Sequence, residues 1–295
     1  MANNTTHVKR PEWLKIKLKT DGHFNDIRKL MSSQKLNTVC EEARCPNIYE
    51  CWSRKTATIM ILGDTCTRAC GFCSVKTGKP PTYDEMEPVR TANAVKEMGL
   101  QHVVITSVDR DDLKDDFGAT IWAETIKQIH RMAPDCTVEI LTPDFQGHLP
   151  SLNKVFEARP EIFSHNVECV ERISKQVRTQ SIWQRTKSVL EASIEFGLLT
   201  KTGLMVGLGE RDDEVLETMQ EMANLGVEIF NVGQYLQPTK DHLAVDRFVH
   251  PDIFEMFKEK GLAMGFKVVE SGPLVRSSYH ADEQAKMYGV KSNYA

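Results

Sequence analysis

"ATIMILGDTCTRACGFC" (57–73) places a short apolar run directly before a loop that contains Cys66, Cys70 and Cys73. The run at 57–62 has the length and composition of a buried β-strand. In parallel α/β proteins, the loops at the carboxyl ends of strands carry the functional groups. This stretch therefore predicts a buried strand with a cysteine site at its carboxyl end.

Six further apolar runs follow along the chain, and amphipathic segments separate them. The runs cover residues 102–108, 136–141, 162–167, 202–208, 228–233 and 266–271. In one intervening segment Ile121, Ile126 and Ile129 recur at helical spacing. This alternation predicts parallel strands joined by right-handed crossover helices, in either an open doubly wound sheet or a barrel-like sheet.

Polar residues follow four of the predicted strands, at 106–110, 166–168, 207–210 and 234–235. Functional groups gather at the carboxyl ends of the strands of a barrel, so these positions favour the barrel. We expect an α/β fold, a partial (β/α)6 TIM-like barrel over residues 57–271. Residues 1–56 and 272–295 are expected to form N-terminal and C-terminal extensions.

The composition of the 295-residue chain argues against several classes of function. The net charge is −4, with 41% hydrophobic and 26% charged residues, which is typical of a soluble globular protein. No long basic or acidic block suggests binding to nucleic acid or to a membrane surface. No apolar stretch has the length of a membrane helix, and the first residues lack the apolar segment of a secretory signal. We expect a cytoplasmic protein with no nucleic-acid or membrane partner.

Six of the eight cysteines fall between positions 40 and 73, which indicates chemistry rather than packing. They are Cys40, Cys45, Cys51, Cys66, Cys70 and Cys73. Cys136 and Cys169 are isolated, and each is expected to be a small buried side chain. Structural disulfides are rare in a reducing cytoplasm, so the six thiols indicate metal binding.

Each cysteine triplet is one ligand short of a closed site. Structural zinc takes four nitrogen or sulfur ligands, and [4Fe–4S] clusters normally take four thiolates. An open coordination position is typical of a catalytic metal centre. Cys66-x3-Cys70-x2-Cys73 thus indicates a cluster whose fourth position is taken by a substrate or cofactor. Taken alone, the triplet at Cys40, Cys45 and Cys51 indicates either a cluster or a zinc site.

The first triplet, with Phe72 before its last cysteine, resembles the cluster-binding loop of radical S-adenosylmethionine enzymes. The second triplet, Cys40-x4-Cys45-x5-Cys51, and the C-terminal "GPLVRSSYHAD" (272–282) narrow the resemblance to the lipoyl synthase family. Further similar segments are "RPEWLK" (10–15), "VDRDDL" (108–113), "PDFQG" (143–147), "GLMVGLGE" (203–210) and "GQYLQPT" (233–239). Together they extend the resemblance over most of the chain, and it implies a barrel of the radical S-adenosylmethionine type.

The resemblance implies two [4Fe–4S] clusters and S-adenosylmethionine as cofactors. The first triplet would hold the radical-generating cluster, with S-adenosylmethionine at its open iron. The second triplet would hold an auxiliary cluster with a serine as its fourth ligand, for which we choose Ser278 over Ser277. The implied activity is that of a sulfurtransferase that inserts two sulfur atoms, at C6 and C8, into an octanoyl chain linked to a lysine of a carrier protein. The auxiliary cluster would supply the sulfur.

The same resemblance implies a set of S-adenosylmethionine contacts, each with a simpler alternative. The residues are Phe72, Asn166, Glu168, Arg185, Gly207, Glu210 and Gln234, with Tyr235 beside them. Gly207 and Glu210 also fit a strand-ending turn with a capping carboxylate, Asn166 and Glu168 also fit helix capping, and Arg185 also fits a solvated helix face. The chain departs from the family pattern at Phe117, Cys169, Trp183 and Thr186, which puts the fine placement of cofactor and substrate in doubt.

Implied partners are octanoylated lipoyl-carrier domains, from 2-oxoacid dehydrogenase subunits or the glycine cleavage H protein. A ferredoxin or flavodoxin as electron donor and iron–sulfur assembly or carrier proteins are implied as well. Three alternatives remain. A biotin-synthase-like sulfurtransferase would lack the second triplet and the RSSY segment, a two-cluster electron-transfer protein would need four thiolates per cluster, and a structural zinc protein would contain zinc and no iron.

Overall fold

The apolar runs of the sequence form the parallel strands of one open sheet in the computed structural model, which describes residues 10–15, 22–42, 45, 47–53, 58–292 and 294. The strands are Asn37–Thr38 (β1), Thr58–Ile61 (β2), Thr65–Cys66 (β3), Lys76–Thr77 (β4), His102–Ser107 (β5), Thr137–Leu141 (β6), Ile162–Ser164 (β7), Thr200–Val206 (β8), Ile229–Gln234 (β9) and Val268–Gly272 (β10). Ala57, the first residue of the first predicted strand, lies outside the described residues.

The helices alternate with these strands from β2 onward. They are Gly22–Ser33 (α1), Val39–Glu42 (α2), Ile48–Ser53 (α3), Glu87–Met98 (α4), Ala119–Met132 (α5), Leu149–Glu157 (α6), Glu171–Val177 (α7), Trp183–Glu195 (α8), Asp212–Leu225 (α9), Pro251–Met264 (α10) and Ala281–Tyr288 (α11). Two short 3₁₀ turns cover Glu12–Leu14 and Phe145–Gly147. No helix in the described ranges is both long and apolar enough to cross a bilayer.

The strand order is β1-β2-β5-β6-β7-β8-β9-β10, and every neighbouring pair from β2 to β10 is parallel. Helices α4 to α10 provide the six crossovers between these seven strands. The sheet does not close on itself, because its two edges are β1 and β10. This confirms the expected α/β fold with an open, partial TIM-like barrel.

Two details of the sheet differ from the sequence prediction. The predicted strand at 162–167 ends at Ser164, and beyond it Glu168, with a positive φ of 68°, pairs with Leu204 only as an isolated bridge. Strand β1 was not predicted. It has only two residues, too few for a hydrophobic pattern, and it pairs antiparallel with β2, with Thr38 opposite Ile59.

The C-terminal helix α11 covers the amino ends of the strands. Its Ala285 packs with Ile162, Ile229 and Val268, which begin β7, β9 and β10. Burial of this apolar group is favourable by roughly 25 cal/mol for each Å² removed from water. Helix α11 therefore covers the end of the barrel that lies opposite the carboxyl ends of the strands.

Candidate functional site

A cavity of about 540 Å³ lies at the carboxyl ends of the barrel strands. Thr106 and Ser107 of β5, Leu141 of β6, Met205 of β8 and Gln234 of β9 contribute to its wall. Cysteines of both triplets also line it: Cys40, Cys45, Cys66, Cys70 and Cys73. The structure therefore brings the two predicted cysteine sites to one enclosed space.

Backbone hydrogen bonds hold the loop of the first triplet. Cys66 ends β3, and its carbonyl accepts from the N–H of Gly78 (2.9 Å), just after β4. The N–H of Cys73 donates to the Cys70 carbonyl (3.1 Å), which makes a tight turn. Gly71 lies in this turn, where an added Cβ would approach the side chain of Leu243 to 2.8 Å. The loop thus needs a small residue between its second and third cysteines.

The three cysteines of this loop are half-buried, and the loss of solvent around them raises the pKa of each thiol to about 11. The negative charge of Asp109 raises the pKa of Cys66 further, and the backbone N–H of Asp109 donates to Cys66 Sγ (3.3 Å). Because metal binds the thiolate form, binding at this loop must displace protons.

Arg68, between Cys66 and Cys70, fixes the loop to the barrel through three carboxylates. Its Nε donates to Asp111 Oδ2 (2.7 Å) and its Nη2 to Asp144 Oδ1 (2.6 Å). Its Nη1 lies 3.2 Å from Asp109 Oδ1. Although burial opposes the charge on Asp144, Arg68 lowers the pKa of that carboxyl to about 2. This network was not predicted, although the aspartates of "VDRDDL" stand at a strand end where such partners are expected.

The second triplet surrounds a smaller cavity of about 30 Å³, which shares residues with the large one. Cys40, Cys45, Cys51 and Ser278 all line it. The N–H of Cys45 donates to the Cys40 carbonyl (3.0 Å). Burial raises the pKa of Cys40 to about 11, and the neighbouring Cys45 raises it further. The N-terminal cysteines and the C-terminal serine, more than 220 positions apart, therefore meet at one place.

Hydrogen bonds attach the C-terminal loop at 272–278 to three parts of the protein. Asn47 Nδ2 donates to the Leu274 carbonyl (2.7 Å), and Thr58 Oγ1 donates to Ser278 Oγ (2.7 Å). Ser277 points elsewhere, since its Oγ accepts from Asn166 Nδ2 (2.7 Å). Only the second of the two serines lines the small cavity.

The donor sets fit iron–sulfur clusters better than a single metal ion. No disulfide joins the cysteines within the described ranges. Nor do the described residues include a group of three His, Cys, Asp or Glu arranged around one ion. Sets of three thiols such as these, with a serine hydroxyl beside the second, suit iron–sulfur clusters, which spread their ligands over several irons. Cys136 and Cys169 are buried away from both cavities, as predicted.

Four of the predicted S-adenosylmethionine contacts line the large cavity. They are Phe72, Asn166, Glu168 and Gln234, and Tyr235 lies beside them. Asn166 Nδ2 also donates to Glu168 Oε1 (3.1 Å), and burial raises the pKa of that glutamate. The amide of Gln234 is occupied by the carbonyls of Val206, Tyr235 and Arg247 and by the N–H of Val249.

Arg185, Gly207 and Glu210 are not among the residues that line the cavity. Arg185 Nη1 lies 3.2 Å from Asp144 Oδ2. Glu210 accepts from the N–H groups of Gly207 (2.7 Å) and Leu208 (2.9 Å), as a capping carboxylate would. Gly207 has a φ of +99°, and an added Cβ would lie 2.6 Å from the Arg247 carbonyl. The contacts of Gly207 and Glu210 match the turn-capping alternative, whereas Arg185 pairs with a buried carboxylate. A role for the three in cofactor binding stays a prediction.

Three further residues that line the large cavity were not predicted as site residues. Arg178, Arg276 and Thr58 line the large cavity. The Arg of "RSSY" was a visible signal for Arg276, whereas Arg178 and Thr58 had none. The departures from the family pattern fall outside the cavity lining. Cys169, Trp183 and Thr186 are buried, and Phe117 packs against the core.

Comparisons with known proteins show which families this chain resembles. Residues 60–222 match the radical SAM superfamily, and residues 1–45 match the N-terminal domain of lipoyl synthase of that family. The lipoyl synthase of Oceanobacillus iheyensis is 52% identical over 96% of this chain and 91% of its own length. That of Shouchella clausii is 53% identical over 96% of this chain and 93% of its own. The crystal structure of methylornithine synthase has a similar fold, with a TM-score of 0.54 at 14% identity over 90% of this chain and 85% of its own.

Proposed function

The chain belongs to the lipoyl synthase family of radical S-adenosylmethionine enzymes, and on this basis we propose that its two cysteine triplets hold two [4Fe–4S] clusters around one reaction cavity. The enzyme is a sulfurtransferase that inserts two sulfur atoms, at C6 and C8, into an octanoyl chain linked to a lysine of a carrier protein. Its cofactors are S-adenosylmethionine and [4Fe–4S] clusters.

One observation carries the proposal: thiols of both triplets line the same cavity of about 540 Å³. A radical made at one centre must reach the substrate before it reacts elsewhere, and the substrate carbon must then reach a sulfur source. A shared cavity satisfies both requirements, because the octanoyl group does not have to move between two separate sites. This arrangement supports separate roles for the two triplets.

We assign Cys66, Cys70 and Cys73 to the radical-generating cluster and leave its fourth position to S-adenosylmethionine. Cys40, Cys45, Cys51 and Ser278 are assigned to the auxiliary cluster. A serine oxygen is a harder ligand than a thiolate and suits cluster iron less well. Such a ligand at one corner favours a centre that must give up sulfur. The division of the chain into 1–56, 57–271 and 272–295 follows these assignments.

When bound, the two clusters and S-adenosylmethionine supply a radical that abstracts hydrogen from an unactivated C–H bond and a sulfide that the resulting carbon radical captures. The chain provides the enclosure. Val75, Val108, Leu141, Met205 and Leu236 give the cavity an apolar wall that suits an octanoyl chain and excludes water. Arg68 and its three carboxylates keep the first cysteine loop in place.

For S-adenosylmethionine we propose contacts from Phe72, Asn166, Glu168 and Gln234, which share the cavity with the first triplet. Gly207 and Glu210 act indirectly, by shaping the turn against which Gln234 is held. Arg185 acts indirectly through Asp144, the carboxylate it shares with Arg68.

The carrier is an octanoylated lipoyl-carrier domain, and we propose those of 2-oxoacid dehydrogenase subunits and the glycine cleavage H protein. We also propose ferredoxin or flavodoxin as the electron donor, iron–sulfur carrier proteins for rebuilding the auxiliary cluster, and a cytoplasmic location. Pairwise binding measurements with the purified proteins would test each partner.

Single cysteine variants test whether the two cysteine triplets have the separate roles assigned to them. After anaerobic reconstitution with iron and sulfide, Cys66→Ala should form no 5′-deoxyadenosine, because the radical-generating cluster has lost a ligand. Cys45→Ala should still cleave S-adenosylmethionine but transfer no sulfur to an octanoyl-lysine peptide. Cys136→Ala, which changes a buried cysteine outside both cavities, is the matched control and should do both. Production of lipoyl groups by Cys45→Ala without added sulfide would contradict the assigned source of sulfur.

A further inference from the structure

Thr58 begins strand β2, where it lines both the large and the small cavity. Its side chain is buried, and its Oγ1 donates a hydrogen bond to Ser278 Oγ at 2.7 Å. Strand β2 has a paired neighbour on each side. It pairs with β5, where Thr58 lies opposite Val104, and it pairs with β1 through the next residue, Ile59. The donor is therefore fixed on a rigid element, while Ser278 lies in a loop.

We propose that Thr58 is a positioning residue that holds Ser278 Oγ at the auxiliary cluster and sets how readily that oxygen is released. The inference rests on the proposed assignment of Ser278 as the fourth ligand. A serine oxygen that binds iron carries more negative charge than a free hydroxyl. A hydrogen bond donated to it is therefore stronger in the bound state than in the released state. Loss of the donor should thus favour release.

The effect of the Thr58 hydroxyl on the release of Ser278 can be separated from the folding of the loop at 272–278. The backbone around Ser278 has other attachments, because Asn47 holds the Leu274 carbonyl and Asn231 Nδ2 donates to the Ser277 carbonyl (3.2 Å). Thr58→Val keeps the volume and the β-branched shape that a buried strand position favours. It removes the hydroxyl and leaves these attachments, so the loop should stay in place.

Iron release from the auxiliary cluster tests the proposal without relying on turnover. The experiment uses the full chain with Cys66, Cys70 and Cys73 all changed to Ala, so that one cluster remains. The rate of anaerobic iron transfer to a chelator and the Mössbauer spectrum are measured. Thr58→Val should release iron about tenfold faster and alter the spectrum of one iron of the four. Thr58→Ser, which restores the hydroxyl, should behave as the parent.

Two further variants separate this proposal from the ligand assignment. Thr106→Val removes another cavity-lining strand hydroxyl, one that donates to the Leu141 carbonyl, and should leave the rate unchanged. Ser278→Ala should itself speed iron release, and adding Thr58→Val to it should have no further effect. Parent-like release from Ser278→Ala would overturn the ligand assignment and this inference with it. A fast Ser278→Ala combined with a parent-like Thr58→Val would overturn this inference alone, and so would additive effects in the double variant.

Discussion

Gly233, near the carboxyl end of β9, lacks a side chain at the place where the C-terminal loop packs against this strand. A Cβ at this position would lie 2.2 Å from the Val275 carbonyl and 3.5 Å from Arg276 Nη1. Backbone at such a distance cannot be accommodated by rotating a side chain. The loop that carries Ser278 can therefore approach the barrel wall only because residue 233 is glycine.

We expect Gly233→Ala to displace the loop at 272–278 and weaken the auxiliary site, while the first cysteine triplet stays intact. The reconstituted variant should contain about half the iron of the wild type, still form 5′-deoxyadenosine and insert little sulfur. Gly78→Ala is the matched control, because its added Cβ would meet only Thr65 Cγ2 at an ordinary 3.6 Å. Full iron content in Gly233→Ala would refute the steric argument.

At the scale of single residues, cysteine spacing predicted the two triplets that line the cavities, and their role as cluster ligands stays a prediction, whereas the contacts around them were not predicted. Cysteine spacing is a local property that a loop preserves. Arg68 and Asp144 form their ion pair across 76 positions, and Thr58 reaches Ser278 across 220. Such pairs depend on strand order and loop path, which no local pattern contains.

Among the strands, β6 and β8 share a buried ion pair inside the barrel, across the intervening β7. Lys201 Nζ lies 2.8 Å from Glu139 Oε1, and both side chains are only 1% exposed. Burial alone would raise the pKa of Glu139, but the charge of Lys201 and a nearby His102 keep it below its ordinary value. The pair therefore supplies stability at neutral pH that depends on both partners.

Lys201→Met should destabilise the cluster-free protein by about 3–5 kcal/mol, because it leaves a buried carboxylate without its cation. The double variant Lys201→Met/Glu139→Leu, which removes both charges, should recover most of this loss. Chemical unfolding followed by circular dichroism measures the difference. The difference in the free energy of unfolding between wild type and Lys201→Met should decrease as the pH falls below 4.5, the ordinary pKa of a glutamate. The pH then approaches the lowered pKa of Glu139, and the charge on this carboxylate begins to be lost. A difference in the free energy of unfolding that does not change at acid pH would contradict the stabilising role of this ion pair.

Elements of the barrel were predictable because parallel strands buried on both faces appear as continuous apolar runs. The seven predicted runs each overlap one strand of the parallel sheet. Strand β1 was missed because its two polar residues carry no pattern, yet it attaches the segment before Cys40 to the sheet. The early end of β7 was missed because the apolar and polar residues at 162–167 do not show where strand pairing stops.

For the molecule as a whole, α11 determines whether the amino end of the barrel is closed. Ala285 is 3% exposed and faces the first residues of three strands, whereas Met287 on the same helix is 71% exposed. Predicting this closure from sequence was not possible, since the helix is short and its apolar partners belong to three distant strands.

Ala285→Asp should cost about 3 kcal/mol and lower the melting temperature by several degrees, because it places a carboxylate against Ile162, Ile229 and Val268. Met287→Asp, on the exposed face, should change stability by no more than about 0.5 kcal/mol. Differential scanning fluorimetry of the cluster-free proteins measures both. Equal effects of the two substitutions would show that α11 does not cover the barrel end.

The open sheet has a gap between its two edges, and the auxiliary residues lie across that gap. The three cysteines follow β1 on one edge, Ser278 follows β10 on the other, and the contacts Thr58–Ser278 and Asn47–Leu274 join the two sides. Under the proposed assignment, the place where the barrel is completed is also the place from which sulfur is taken. Protease sensitivity at this junction should therefore report whether a given molecule still has an intact auxiliary cluster for its next turnover or has lost that cluster to sulfur transfer.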